Sequence, residues 1–245
     1  MKPILFNSEM VKAILDGRKT ATRRIADINT DITCNDGTTN HDFVLDNFSN
    51  GTPTGFVCRR CGFGVAPPHS RVPCGTSLFR PRYWPGDILY VRETWCKGKV
   101  CYGEEPDGRN VPFISQCIDE DDIIPKEWAI RHDIGIEDVV WKPSIHMPKE
   151  AARIFLRVTH VRVERLQTIT ADECPMEGVW PLAAGPVGGR EAYYKTAFAK
   201  LWNSTIKPTE LPTCGWDANP WVWVIKFERI NKDNAWNGRT ITCIE

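Results

Sequence analysis

The sequence predicts an α+β fold: a small mixed or antiparallel sheet curled into a β-barrel, with flanking helices and two insertions. Three observations carry that reading. Residues 84–95, "WPGDILYVRETW", residues 153–166, "RIFLRVTHVRVERL", and residues 220–230, "PWVWVIKFERI", show the period-two alternation of strands. Short helical patterns separate them. No regular strand–helix–strand alternation is present of the kind that builds a parallel sheet.

The elements follow in chain order. "NSEMVKAILDG" predicts a short amphipathic helix, with Asn7 or Ser8 as its cap, Val11, Ile14 and Leu15 as its apolar stripe, and Gly17 as its left-handed terminus. Residues 27–54, rich in Asn, Asp, Thr and Gly without a sustained period, read as loop. They open a first insertion over residues 27–80. The Pro-Gly-Asp turn at residues 85–87 leads into the first clear strand. Residues 103–149, with the acidic run Asp119 to Asp122 and several prolines, form a second insertion. After the strand at 153–166, Thr170 and Glu173 have capping-box spacing and Gly178 closes a predicted short helix over 171–177. "GREAYYKTAFAKLWNS" places Tyr194, Phe198, Leu201 and Trp202 on one helical face. Trp221, Trp223, Ile225 and Phe227 then share one side of the last strand, before a polar tail at 231–245.

At 245 residues the chain is long enough to bury a sizeable core as one domain with elaborations, the expected organisation, or as a compact domain plus a small module. No apolar run reaches the roughly 18 to 20 residues of a membrane span. The start "MKPILFNSEM" turns polar after Phe6, which predicts no secretory signal, no membrane and a cytoplasmic setting. Net charge is formally zero, yet residues 1–100 carry 14 basic and 9 acidic side chains, leaving 17 and 22 for the remainder. That modest basic bias excludes a protein coating duplex DNA and fits a nucleotide or a short single strand. The 10 cysteines, in a reducing compartment, point to metal binding or core thiols rather than disulfides.

"GRKTATRR", residues 17–24, sets four cations beside two hydroxyls. It is not a phosphate-binding loop, because Arg18 separates Gly17 from Lys19, no upstream glycine stands at the required spacing, and the cluster follows a helix. Its chemistry suits an anionic or carbonyl-bearing ligand. A threonine hydroxyl becomes nucleophilic when a base takes its proton, and Lys19 serves as that base if burial and the neighbouring Arg18, Arg23 and Arg24 lower its pKa.

The chain resembles the ASCH family of the PUA-like group of small β-barrels, and most closely the ASCH-type proteins of phages and prophages. The family pattern Gly-x-Lys-x-x-[Glu/Thr]-x-Arg after the first helix is met by Gly17, Lys19, Thr22 and Arg24. The likeness continues through "PGDILYVRETW", "WKPSIHMPKEAARIFLRVTHVRVERLQTIT", "ADECPMEG" and "WDANPWVWVIKFERI". It implies a PUA-like barrel that recognises RNA or a modified nucleoside. Family members include presumed RNA binders, a ribonuclease, and amidohydrolases that deacylate N4-acetylcytidine. Carried over by position, the amidohydrolase residues are Lys19, Thr22 and Glu177. Two assignments are open: Lys19 as base with Thr22 as nucleophile, or Glu177 activating water while Lys19 and Arg24 stabilise the oxyanion. The dipole of a helix ending at Glu177 would help that carboxyl hold a proton. A single-stranded ribonuclease and a non-catalytic phage interaction or assembly protein are the alternatives.

Two further constellations stand apart. "CRRCGFG" has the Cys-x-x-Cys-Gly shape of a zinc knuckle, with Cys58 and Cys61 completed by Cys34 and Cys74, or by His69 in reserve, around a structural zinc ion. "VRETW" offers Arg92 and Glu93 as ligand contacts and Trp95 as a stacking platform for a base. Ser144 and His146 lack nucleophile-elbow glycines and read as structural.

Overall fold

Alternating apolar side chains and returning chain direction build most of the sheet structure. The computed structural model describes residues 1–26, 43–47, 53–58, 64–65, 81–104, 109–116, 122–137, 139–179 and 189–237. In chain order the elements are β1 (Lys2–Leu5), α1 (Ser8–Leu15), β2 (Ala21–Ile25), β3 (Phe43–Asn47), β4 (Pro53–Cys58), β5 (Gly64–Val65), β6 (Ile88–Arg92), β7 (Trp95–Lys97), β8 (Lys99–Glu104) and β9 (Asn110–Ser115). There follow β10 (Ile123–Pro125), α2 (Lys126–Arg131), β11 (Phe155–Arg165), α3 (Gly189–Ser204), α4 (Leu211–Cys214), β12 (Trp221–Ile230) and α5 (Lys232–Asn237). The fold is mixed α+β with several sheets, and no closed barrel is present among the described residues. No helix among them is long and apolar enough to cross a membrane.

The chain divides into two compact units. The first comprises Met1–Gly17, Asp87–Arg157 and Glu228–Glu245. There β1 runs parallel to β6, pairing Ile4 with Val91, and the start of β11 lies antiparallel to β6, pairing Phe155 with Tyr90. β7 pairs with β10, and β8 and β9 form a hairpin. Cys96, Ile114, Ile124, Ala129 and Ile134 make one core, and Tyr90, Ala152, Phe155 and Ala235 another. α1 begins as the sequence predicts: Met10 N donates to the Asn7 side chain at 2.9 Å, and Gly17 takes φ 73° beyond its end.

The second unit comprises Arg18–Gly86 and Val158–Phe227. Its strand order is β11–β12–β2, with β2 antiparallel to β12 so that Arg23 lies opposite Val224. α3 lays Phe198 and Trp202 against Val222 and Val224 of β12, together with Leu166, Ile169, Cys174 and Val179. Burying each large apolar side chain there contributes about 1.5–3 kcal/mol. β12 is buried on both faces from Trp221 to Ile225, beyond the one-sided burial its alternating tryptophans predict.

Three local expectations are corrected. Part of the 27–54 segment is strand, since β3 and β4 pair antiparallel there, with a register shift at Asp46 and Asn47. Thr22, Arg23 and Arg24, expected as part of a cationic cluster following α1, belong to β2, because β12 supplies their ladder partners. The predicted helix over 171–177 is a run of tight turns ending in a 3-10 turn, Pro175–Glu177. Pro175 has no amide hydrogen to continue an α-helix, and Gly178 closes the turn at φ 90°, where a side chain would be strained. The polar tail opens with α5.

Candidate functional site

Local backbone pairing builds the site in the second unit. β12 covers one edge of β2, and Phe227 N donates to Thr20 O at 2.9 Å, extending that ladder. Thr20 N donates in turn to Met176 O at 2.9 Å, which docks the 3-10 turn beside Lys19. Sequence positions 158 apart thereby become neighbours: Lys19 Nζ donates to the Glu177 backbone oxygen at 2.8 Å and to its Oε2 at 3.0 Å. Arg23 donates through NH1 to the other carboxylate oxygen, Oε1, at 3.0 Å. Both oxygens of Glu177 are thus held by cations, and the side chains of Lys19, Arg23 and Glu177 are 0%, 1% and 4% exposed.

Behind this triad lies a closed ring of charge. Arg23 NH2 donates to Glu164 at 2.7 Å and to Glu173 at 2.6 Å. Arg162 reaches the remaining oxygens of the same two carboxylates, through Nε to Glu164 at 2.8 Å and through NH2 to Glu173 at 2.6 Å. Three cations, Lys19, Arg23 and Arg162, therefore balance three carboxylates, and the ring grows more exposed towards Arg162. Arg23 also sits 5.8 Å from the Phe198 ring centroid, and its buried Nε has no hydrogen-bond partner among the described residues.

Burial lowers the Lys19 pKa, with Arg24 and Arg23 adding to the effect and Glu177 opposing it. Burial works against the Arg23 charge, but Glu177, Glu164 and Glu173 outweigh it and raise that pKa. Burial also pushes the Glu173 carboxyl upward, and Arg23 with Arg162 reverse this, leaving it below its ordinary value. Arg24, half-buried, is lowered by burial and by Arg82. Burial pushes the nearby Cys174 thiol up to about 11, so it is no thiolate nucleophile at neutral pH.

The structure brings Lys19 and Glu177 together, with Arg23 as their third member. Thr22 is 2% exposed, and its hydroxyl makes no hydrogen bond to either among the described residues. Strand alternation turns Thr22 and Arg24 to the face of β2 opposite Arg23. The geometry therefore supplies a cation-held carboxylate with an amine of lowered pKa at its side, suited to moving a proton between Nζ and Oε2. Glu177 is the last residue of a single 3-10 turn rather than of a helix over 171–177, and its carboxylate is held by Lys19 and Arg23. Arg18 is half-buried at the start of this unit.

Sequence spacing alone does not single out Arg162 and Glu164 as site residues, and it marks Glu173 as a cap. The signal for the first two is the pair of opposite charges at i and i+2 within "VRVE", which strand alternation sets on one face. Glu173 spends its carboxylate on two arginines, which bind it more strongly than a backbone amide would.

Arg92, Glu93 and Trp95 belong to the first unit and have other partners there. Arg92 donates to Ile145 O at 2.8 Å and to the Tyr90 hydroxyl at 3.3 Å. The Glu93 carboxylate, fully buried, accepts two 2.8 Å bonds from Arg153, and burial raises its pKa. Trp95 is 5% exposed with Lys142 Nζ 4.9 Å from its ring centroid, so it presents no open face for stacking a base. Cys34, Cys61, Cys74 and His69 lie outside the described residues, and of Cys58 only the backbone, in β4, is described.

No protein-family model, curated protein or solved structure matches the chain.

Proposed function

We propose that this protein is an ASCH-type, PUA-like protein that recognises a modified nucleoside, free or within RNA, at the Lys19–Glu177 site and hydrolyses an N4-acylated cytidine-type amide. The observation that supports this most directly is the buried contact between the Lys19 amine and the Glu177 carboxylate. In the reaction, Glu177 takes a proton from water, the water oxygen adds to the acyl carbon, and Lys19 stabilises the oxyanion. The C–N4 bond then breaks, N4 receives the proton, and cytidine and a carboxylic acid are released. This assignment is favoured over a Thr22 nucleophile because no base lies within hydrogen-bond reach of the Thr22 hydroxyl among the described residues. The same proposal gives the chain one structural zinc ion, held by Cys34, Cys58, Cys61 and Cys74 or with His69 as a substitute, which would staple the first insertion.

The test is a panel of N4-acylated cytidines followed by chromatography of the released cytidine. Wild type is expected to turn over at least one member, and Lys19→Ala to lose that activity while keeping its far-ultraviolet circular dichroism. Absence of turnover by wild type across the panel overturns the hydrolase; salt-dependent binding without turnover leaves a recognition module.

A further inference from the structure

The first unit contains a cleft of about 490 Å³ that plays no part in the Lys19–Glu177 chemistry. Its walls include Val100, Ile124, Pro125 and Trp128, and its charged lining includes Lys99 and Arg153. Arg153 is unusually well fixed for an arginine that is still 24% exposed. Its Nε and NH2 each donate at 2.8 Å to Glu93, whose carboxylate is wholly buried. That grip uses the side-on fork of the guanidinium. The end-on fork, made by NH1 and the second NH2 hydrogen, has no partner among the described residues. Lys99, on the exposed side of β8, makes no ion pair among them either.

A guanidinium locked in this way loses little freedom when a ligand arrives, and its open fork matches two oxygens of a carboxylate or phosphate. Glu93 offsets much of its charge, so directional hydrogen bonds and Lys99 must supply the attraction. The Trp128 ring, stacked at 4.4 Å on His132, forms a fixed wall for a flat apolar body. Asp122, also on the lining, disfavours a polyanion and argues for one oxyanionic group. We propose that this cleft binds a small oxyanion, carboxylate or phosphate monoester, carrying an apolar or aromatic body, with its charged end on the open fork of Arg153 and beside Lys99.

The full chain is titrated with phenylacetate, phenyl phosphate and, as the neutral control, benzyl alcohol, while the Arg153 Nε–H and Trp128 indole resonances are followed by nuclear magnetic resonance. At least one anion is expected to move both resonances with a dissociation constant below about 1 mM, and benzyl alcohol to bind at least about tenfold more weakly. The tighter anion identifies the head group. Lys99→Gln, at an exposed position, should weaken binding about threefold, and Arg153→Lys, which keeps the charge without the fork, about tenfold or more. No movement up to about 10 mM, equal binding of benzyl alcohol, or binding unchanged in Lys99→Gln would overturn the proposal even if Arg153→Lys failed to fold.

Discussion

Replacing Glu177 by glutamine tests whether the buried carboxylate neutralises two cations at once. Its oxygens accept from Lys19 and from Arg23, each at 3.0 Å, with almost no solvent contact. Glutamine keeps one acceptor oxygen and turns an NH2 donor towards the other cation, which has nothing to accept with. A hydrogen bond to a charged group contributes about 1.5–3 kcal/mol and a neutral one about 0.5–1.5 kcal/mol. One bond is therefore weakened and the other lost, while a buried charge is left without its counter-ion. The expected loss at pH 7 is about 3–5 kcal/mol, a large part of the roughly 5–15 kcal/mol that stabilises a domain. The deficit should shrink as pH rises. Lys19 in the folded protein already has a pKa below its ordinary 10.5, and removing Glu177 removes the main influence holding it up. Between the folded and unfolded pKa values the unfolded chain binds more protons, so stability recovers with pH across that alkaline window and is lost as pH falls through the folded value. Arg23 keeps its charge, so part of the deficit persists. Urea denaturation of wild type and Glu177→Gln from pH 7 up towards 10.5 gives the comparison. A deficit under about 1 kcal/mol at pH 7, or one that does not narrow as pH rises towards the ordinary lysine value of 10.5, refutes the reasoning.

Two other outcomes follow from the same geometry and from the cysteine spacing. Glu173→Gln leaves the Arg23 charge less compensated and should lower the Lys19 pKa, whereas Arg162→Gln leaves Glu164 and Glu173 less compensated and should raise it; the Cε resonance of Lys19, titrated by carbon-13 nuclear magnetic resonance, should move in opposite directions, and shifts of the same sign would show that the ring does not act through charge. Protein purified without chelators should carry about one equivalent of zinc, and less than half an equivalent would count against the four-cysteine site.

How far the sequence reaches is clearest in particular elements. α1, α3, β11 and β12 were legible because each repeats apolar residues at its own period, and solvent exclusion enforces that period locally. β3 and β4 were not, since a segment rich in Thr, Asn and Asp lacks the alternation that marks a half-buried strand, and only pairing across the hairpin reveals it. The turn at 175–177 looked helical by capping-box spacing, but Pro175 withheld an amide and two arginines took Glu173.

The candidate site divides in the same way. The sequence by itself determined that a dense cationic segment follows a helix, that Lys19 belongs to it, and that an acidic residue stands just before a glycine at 178. Only the tertiary structure decided which charges meet: Glu164 and Glu173, 141 and 150 positions from Arg23, close a ring with Arg162, while Thr22 turns to the other face of its strand. The physical reason is that backbone preference and burial period act over a few neighbouring residues. Which buried charge finds which partner is fixed instead by β12 and the 3-10 turn both docking on the one short segment Thr20–Ile25.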